Sequence, residues 1–346
     1  MYTFSMLESD APYLIGAGAL LFSVLLLVRK SSTVYMSRVL FCLIGIPVCL
    51  FVSHFFYGIL ELLSETVGAL LDGTFSGAVF TERNWLGMII PWSDGHSIVG
   101  VYLGLVLTAF IVSRTRGEKL RSLLDSAVVP AAVFTAVCCF AMPLYSSGYG
   151  KAFIEGDLGE NSLTPITSFL GFFREPAADR EEYSLAVWAI EGVTALFFAV
   201  WAAADRSEKP AGDKALLYII QYASVNILYP VMIASPSLQL WMANTDQIVS
   251  AIILIAVFAG AVIHMKERKK AVPGAVIFAL AAILGAAFTA ETQNKLGKLF
   301  KLLDGDRGTL ESFFSMPVCY LIILACGITI GIVCRRAVRR STLYTE

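Results

Sequence analysis

Charge is scarce in this sequence. Only 15% of its 346 residues are Asp, Glu, Lys or Arg, against about 25% in soluble domains. An ordinary water-facing surface cannot be built from so little. So little charge also excludes a nucleic-acid-binding domain, while the net charge of −1 by itself says nothing about partners. Seven cysteines are present, but no CxxC pair and no Cys/His metal spacing, so neither a zinc site nor a disulfide framework is expected. They read as small apolar residues. No Walker motif and no GxGxxG loop occurs, so ATP-driven transport is not supported, and no cofactor is expected. Basic residues are missing before the first apolar run: Met1 to Asp10 carries Glu8 and Asp10 but no Lys or Arg. A cleavable signal carries its positive charge there, so the first run is expected to be a retained helix.

Apolar residues are abundant. They make up 57% of the chain, and the mean hydropathy is +0.72. They fall into nine runs: Ala11–Val28, Val39–Leu60, Ser97–Ser113, Ser126–Tyr145, Tyr183–Ala204, Ala215–Ser235, Asp246–Met265, Val272–Ala290 and Ser315–Cys334. Each is about long enough to cross ~30 Å of hydrocarbon as a helix. Lipid offers the backbone no hydrogen-bond partner, so spanning segments must be helical. The expected fold is an all-α integral membrane protein, a polytopic bundle of about nine transmembrane helices. His54, Glu191, Gln221, Asn226 and Gln247 lie within the runs and are expected to face the bundle interior.

Orientation follows from the connections. Of 26 basic residues, 18 lie in one alternating set of loops and in the tail, including Arg29, Arg114, Lys209, Lys269 and Arg339, and eight lie on the other side. The positive-inside rule then puts the N-terminus outside and the C-terminus inside. Two outer segments are long. Residues 61–96 hold Trp85, Trp92 and several glycines, and read as a piece that lies on, or partly re-enters, the outer leaflet. With Trp241, these tryptophans read as an interfacial belt. Residues 146–182 begin Gly-rich and turn polar, and read as an outer cap.

Four stretches carry a resemblance. They are IPVCLFVSHFFYGIL over Ile46–Leu60, GHSIVGVYLG over Gly95–Gly104, the stretch from Asp125 through Pro130 to Tyr149-Gly150, and Tyr222 to Ser250 with Gln247 between. In this order they resemble the bacterial prolipoprotein diacylglyceryl transferases, with Ser97, Gly100, Gly104 and Gly150 in family positions. The likeness covers about residues 11–265. Residues 266–346 add two helices and a basic tail. Several motif positions depart from the family: its His falls on Val99, its signature Arg and Asn on Cys139 and Met142, its later Arg on Asn226 and the following acid on Pro230.

The resemblance implies transfer of a diacylglyceryl group from phosphatidylglycerol to a lipoprotein cysteine in a bacterial cytoplasmic membrane. The partners would be a phosphatidylglycerol-like lipid and lipobox-bearing prolipoproteins. That chemistry needs a base near the thiol and a cation for phosphate. His96, one helical turn from Val99, is the candidate base, with an inert interfacial His as the alternative. Lys151 follows Tyr149-Gly150 and is the candidate phosphate ligand, with a solvated loop lysine as the alternative. Tyr149, Gly150, Gly100, Gly104 and Asn226 complete the expected lipid site. His54 reads either as functional or as a neutral ring bonded to a backbone carbonyl. Three functions stay open: an active transferase with a shifted site, a catalytically silent lipid-binding relative, and a transporter or channel subunit.

Overall fold

The computed structural model describes residues 11–28, 35–71, 95–145, 148–154, 174–176, 182–205, 210–233, 239–240, 243–265, 267–292 and 316–341. Among the described residues, nine long helices carry the fold: α1 Ala11–Val28, α2 Tyr35–Leu71, α3 Ile98–Arg116, α4 Leu120–Ala141, α5 Val187–Ala204, α6 Asp213–Asn226, α7 Thr245–Ile263, α8 Val272–Thr292 and α9 Met316–Arg340. Among the described residues, eight segments are long and apolar enough to cross a membrane, and Leu14–Val28 of α1 is a shorter apolar helix. The chain is a multi-pass helical membrane protein. Short strands sit between helices: β1 Tyr149–Ile154, β2 Arg174–Pro176 and β3 Glu182–Ala186 in the order β1-β3-β2, and a hairpin of β4 Gln239–Leu240 with β5 Ala243–Asn244.

Several helices differ from the expected spans: α4 starts at Leu120 rather than Ser126, α9 runs on to Arg340 rather than ending at Cys334, and the first residues of the fifth expected span belong to β3, with α5 starting at Val187. The second span does not end at Leu60, because α2 runs on through Leu71. At 1.5 Å per residue its 37 residues reach about 55 Å, well beyond a hydrocarbon core. The first part of the expected leaflet-lying segment is therefore helical, and Trp85 and Trp92 lie outside the described residues. The sixth span is broken. α6 stops at Asn226, Ile227 and Leu228 form a turn, and a single helical turn follows at Tyr229–Met232. Pro230 has no N–H to give to the carbonyl four residues earlier, which opens the ladder there.

The chain divides into two compact units, Met1–Tyr149 with Ala186–Tyr218, and Gly150–Leu185 with Ile219–Glu346. In unit one, α1 to α4 bury Leu26, Phe41, Leu105, Val112 and Leu123 around one centre, with Phe22 stacked on Phe41 at 6.4 Å. Helix α3 lies against α2 closely enough that a Cβ on Gly100 would sit 2.5 Å from Ser53 Cα, and one on Gly104 2.7 Å from Cys49 Cα. Small residues four apart let two backbones meet in this way. α3 is punctuated at both ends: the Ser97 side chain accepts from Gly100 N, and Gly117 closes it at φ 72°, a left-handed position that glycine fills without steric cost. Asp125 of α4 accepts from Gly212 N at 2.6 Å and Ala215 N at 2.9 Å, capping the start of α6.

In unit two, α8 and α7 pack on α9. Gly327 and Gly331 of α9 lie against Ser224 of α6, whose carbonyl and hydroxyl occupy the space a side chain would need. The break in α6 is closed by amides from the start of α7. Gln247 Nε2 donates to Ile227 O at 2.7 Å, and Asn244 Nδ2 donates to Pro230 O at 2.5 Å. Hydroxyls within the helices return to their own backbones, as Thr108 does to Gly104 O and Ser224 to Ile220 O. Large apolar side chains face outward along α8, where Val276, Leu280 and Ile283 are among the exposed hydrophobics. In water such a row would be costly; against lipid tails it is an ordinary surface.

Candidate functional site

The most polar ground in unit one lies where the stretch before α3 meets the middle of α2. Gly95 has φ +77° and its α-carbon faces the Tyr57 ring, which leaves no room for a side chain. This turn presses His96 and Ser97 onto α2. Ser97 N donates to Ser53 O at 3.2 Å. His54 Nδ1 lies 2.9 Å from Gly95 O, and because a carbonyl only accepts, that nitrogen carries the proton. Ser53 Oγ donates to Leu50 O at 3.0 Å and lies 2.9 Å from His96 Nδ1. With the Ser53 hydroxyl proton on Leu50 O, His96 Nδ1–H donates to Ser53 Oγ and Nε2 is the ring's acceptor nitrogen. The two imidazoles are 5.5 Å apart between centroids, and all four side chains of Ser53, His54, His96 and Ser97 are buried.

His96 and Ser53 close one end of a cavity of about 290 Å³ between α1, α2, α3 and α4. Its walls are apolar, with Gly16, Phe22, Gly45 and Cys49 among them. Ile46 belongs to the wall and is 48% exposed, so the cavity opens sideways on the lipid-facing surface. His96 is the only basic residue that lines it among the described residues. A largely apolar chamber of this size, with Ser53 and His96 on one side and Ser23 of α1, bonded to Ala19 O, also in the wall, has the form of a ligand site.

The other expected site residues fall in different places. Gly100 and Gly104 seat α3 on α2 and do not line the cavity. Gly150 pairs with Ile233 through an isolated bridge, and Lys151 follows on β1. The side chains of Tyr149 and Lys151 lie outside the described residues. Asn226 is buried in unit two, where its Nδ2 donates to Ser250 Oγ at 3.0 Å. Glu191 is buried in α5, and Gln221 is half-buried with its Oε1 enclosed. Tyr102, Thr135 and Tyr218 join hydroxyls inside unit one, with 2.8 Å between the two phenols and an edge-on contact of Phe198 against Tyr218. The role of Ser53 is not visible in the sequence, since its partner stands 43 positions away. A histidine preceded by glycine at the mouth of a span is the signal that the sequence does carry. No protein-family profile and no curated protein matches the chain.

Proposed function

We propose that the chain is a lipid-binding membrane protein with a diacylglyceryl-transferase-like architecture that does not perform the family's transfer. The observation that supports this reading most is the lateral, apolar cavity closed by His96 and Ser53, with no Lys or Arg in its wall among the described residues. Such a wall suits an acyl chain. A phosphate leaving group calls instead for a fixed cation, best an Arg, and the family's Arg positions hold Cys139 and Asn226. A phosphatidylglycerol-like lipid in a bacterial cytoplasmic membrane is the proposed ligand, its chain between α1 and α2 and its polar end toward Ser53.

The tautomer of His96 supports a second reading, transfer itself. In that reaction the lipobox thiol gives its proton to a base, its sulfur bonds to the diacylglyceryl carbon, and the carbon–oxygen bond to glycerol phosphate breaks. Nε2 of His96 would serve as that base.

Two measurements separate the readings. Phosphatidylglycerol carrying a diazirine in its acyl chain should label α1, α2 and α3 around the cavity of the purified protein. Gly16→Leu should reduce that labelling about tenfold, because a Cβ there meets nothing within 4 Å and the side chain enters the cavity. In cells depleted of their own transferase, the wild-type chain should not restore lipoprotein maturation. Restoration that His96→Ala abolishes would establish the transferase; absence of cavity labelling would defeat both readings.

A further inference from the structure

Unit two has a chamber of its own. Helices α7, α8 and α9 enclose about 450 Å³, with Leu254, Phe278, Ala281 and Ile330 in the walls. Its lining is uncharged throughout among the described residues. The polar residues that line it from α7 and α8 are Gln247 and Thr289. Gln247 is the third residue of α7, and Thr289 is the fourth from the end of α8. A short link, 264–271, joins α7 to α8, so the two run in opposite directions and the start of one stands beside the end of the other. The polar groups therefore gather at one end of the chamber, and the apolar walls extend away from it. Ile227, which follows α6 at its break, lines the same chamber. Next to it Asn226 is 1% exposed, and its Oδ1 accepts no hydrogen bond among the described residues. Thr289 is 7% exposed. Ser224 and Thr292 return their hydroxyl protons to their own helices, whereas the Thr289 hydroxyl makes no such bond among the described residues. Ile255, 54% exposed, belongs to the wall and puts the opening on the lipid-facing side.

We infer that this chamber is a second binding site, for an uncharged single-chain amphiphile whose hydroxyl or ester head sits at Thr289 and Gln247. The walls select the chain. The absence of charge selects against an ionised head, since a carboxylate desolvated without a partner is strongly disfavoured. The volume lies at the lower end of the range for small-molecule sites, which fits one chain rather than two. The head meets a donor in the Thr289 hydroxyl, and Gln247 is held in place by Ile227 O and Asn244 N.

The test uses the full chain in lipid nanodiscs and two photoreactive probes of equal chain length, a monoacylglycerol and a fatty acid, each with a diazirine at mid-chain. At a pH where the fatty acid is ionised, the monoacylglycerol should label α7, α8 and α9 around the chamber saturably, and the fatty acid about tenfold less. Thr289→Val keeps the shape and removes the hydroxyl; it should weaken labelling about fivefold. Ala286→Phe, at the exposed part of the wall, should abolish it. In both variants capture of the phosphatidylglycerol probe by unit one should persist, which shows that the protein is folded and separates this site from the other. Equal labelling by the two probes, labelling confined to outward side chains such as Ile283, or full labelling of folded Thr289→Val would each overturn the inference. If Ala286→Phe does not fold, the isosteric Thr289→Val still decides.

Discussion

His54 and His96 look alike in the sequence, two histidines at the outer reach of apolar runs, yet their bonds assign them different work. His54 spends its Nδ1 proton on Gly95 O and so holds the turn that delivers the second histidine. His96 spends its proton on Ser53, which is already committed to Leu50 O, and lines the cavity. Nitrogen-15 spectra of histidine-labelled protein should therefore show an Nδ1–H signal for each of the two rings. Ser53→Ala should shift the His96 resonances and leave those of His54 in place. It should also cost about 1–3 kcal/mol, because a buried donor loses its acceptor. Unmoved His96 signals in the variant would show that the serine does not set the tautomer. Gly95→Ala should be at least as damaging. It combines a left-handed backbone with a methyl group aimed at the Tyr57 ring, and a drop in folded yield from detergent would report it.

Helices in this chain meet through glycine, and the spacing of those glycines is legible in the sequence itself. Gly100 and Gly104 are four apart on one face, and that face is where α3 touches α2. Gly327 and Gly331 have the same spacing in α9 and seat it on Ser224. Gly327→Ala or Gly331→Ala should lower the thermal midpoint, with a cost of about 1–3 kcal/mol for overpacking. Gly260→Ala in α7 is the control: a Cβ there meets nothing within 4 Å, so the change should be neutral or raise the midpoint through helix propensity. Equal losses at all three positions would mean that backbone flexibility, not close packing, is what the glycines supply. The nine apolar runs also mark out the helices, because length and hydropathy are local properties. The break in α6 does not show in its hydropathy. Pro230 is a local signal for it, but what makes the break tolerable is distant in sequence, the amides of Asn244 and Gln247 taking up carbonyls at Pro230 and Ile227. Asp125 illustrates the same limit. The family likeness marks it as part of a signature helix, whereas its carboxylate caps α6 from 87 positions away. Asp125→Ala should cost about 1–2 kcal/mol, seen as a lower thermal midpoint.

At the scale of the whole molecule, the distribution of Lys and Arg among the connections carries an orientation that no single helix encodes. Moving a connection rich in Lys and Arg across the membrane during insertion is disfavoured, and short connections therefore keep their positive charge on the cytoplasmic side. The connection between α3 and α4 carries Arg114, Arg116, Lys119 and Arg121; that between α7 and α8 carries Lys266, Arg268, Lys269 and Lys270; α9 ends in Arg335, Arg336, Arg339 and Arg340. One basic connection joins α3 to α4 and another joins α7 to α8, and the positive-inside rule expects each of them, and the basic end of α9, on the cytoplasmic side. Lys119, Lys269 and Arg340 are exposed, so a cysteine at any of them is open to a charged maleimide. Lys119→Cys, Lys269→Cys and Arg340→Cys should each resist a membrane-impermeant maleimide in intact cells and react once the membrane is opened. Glu65→Cys, on the part of α2 that continues past the hydrocarbon, should react in intact cells. The native thiols lie within the helices and are buried or half-buried, so the background should be low. Reaction of Lys119→Cys from outside would reverse unit one. It would also turn the end of the cavity lined by His96 toward the cytoplasm, against the transfer reading proposed above, which needs that end at the outer face.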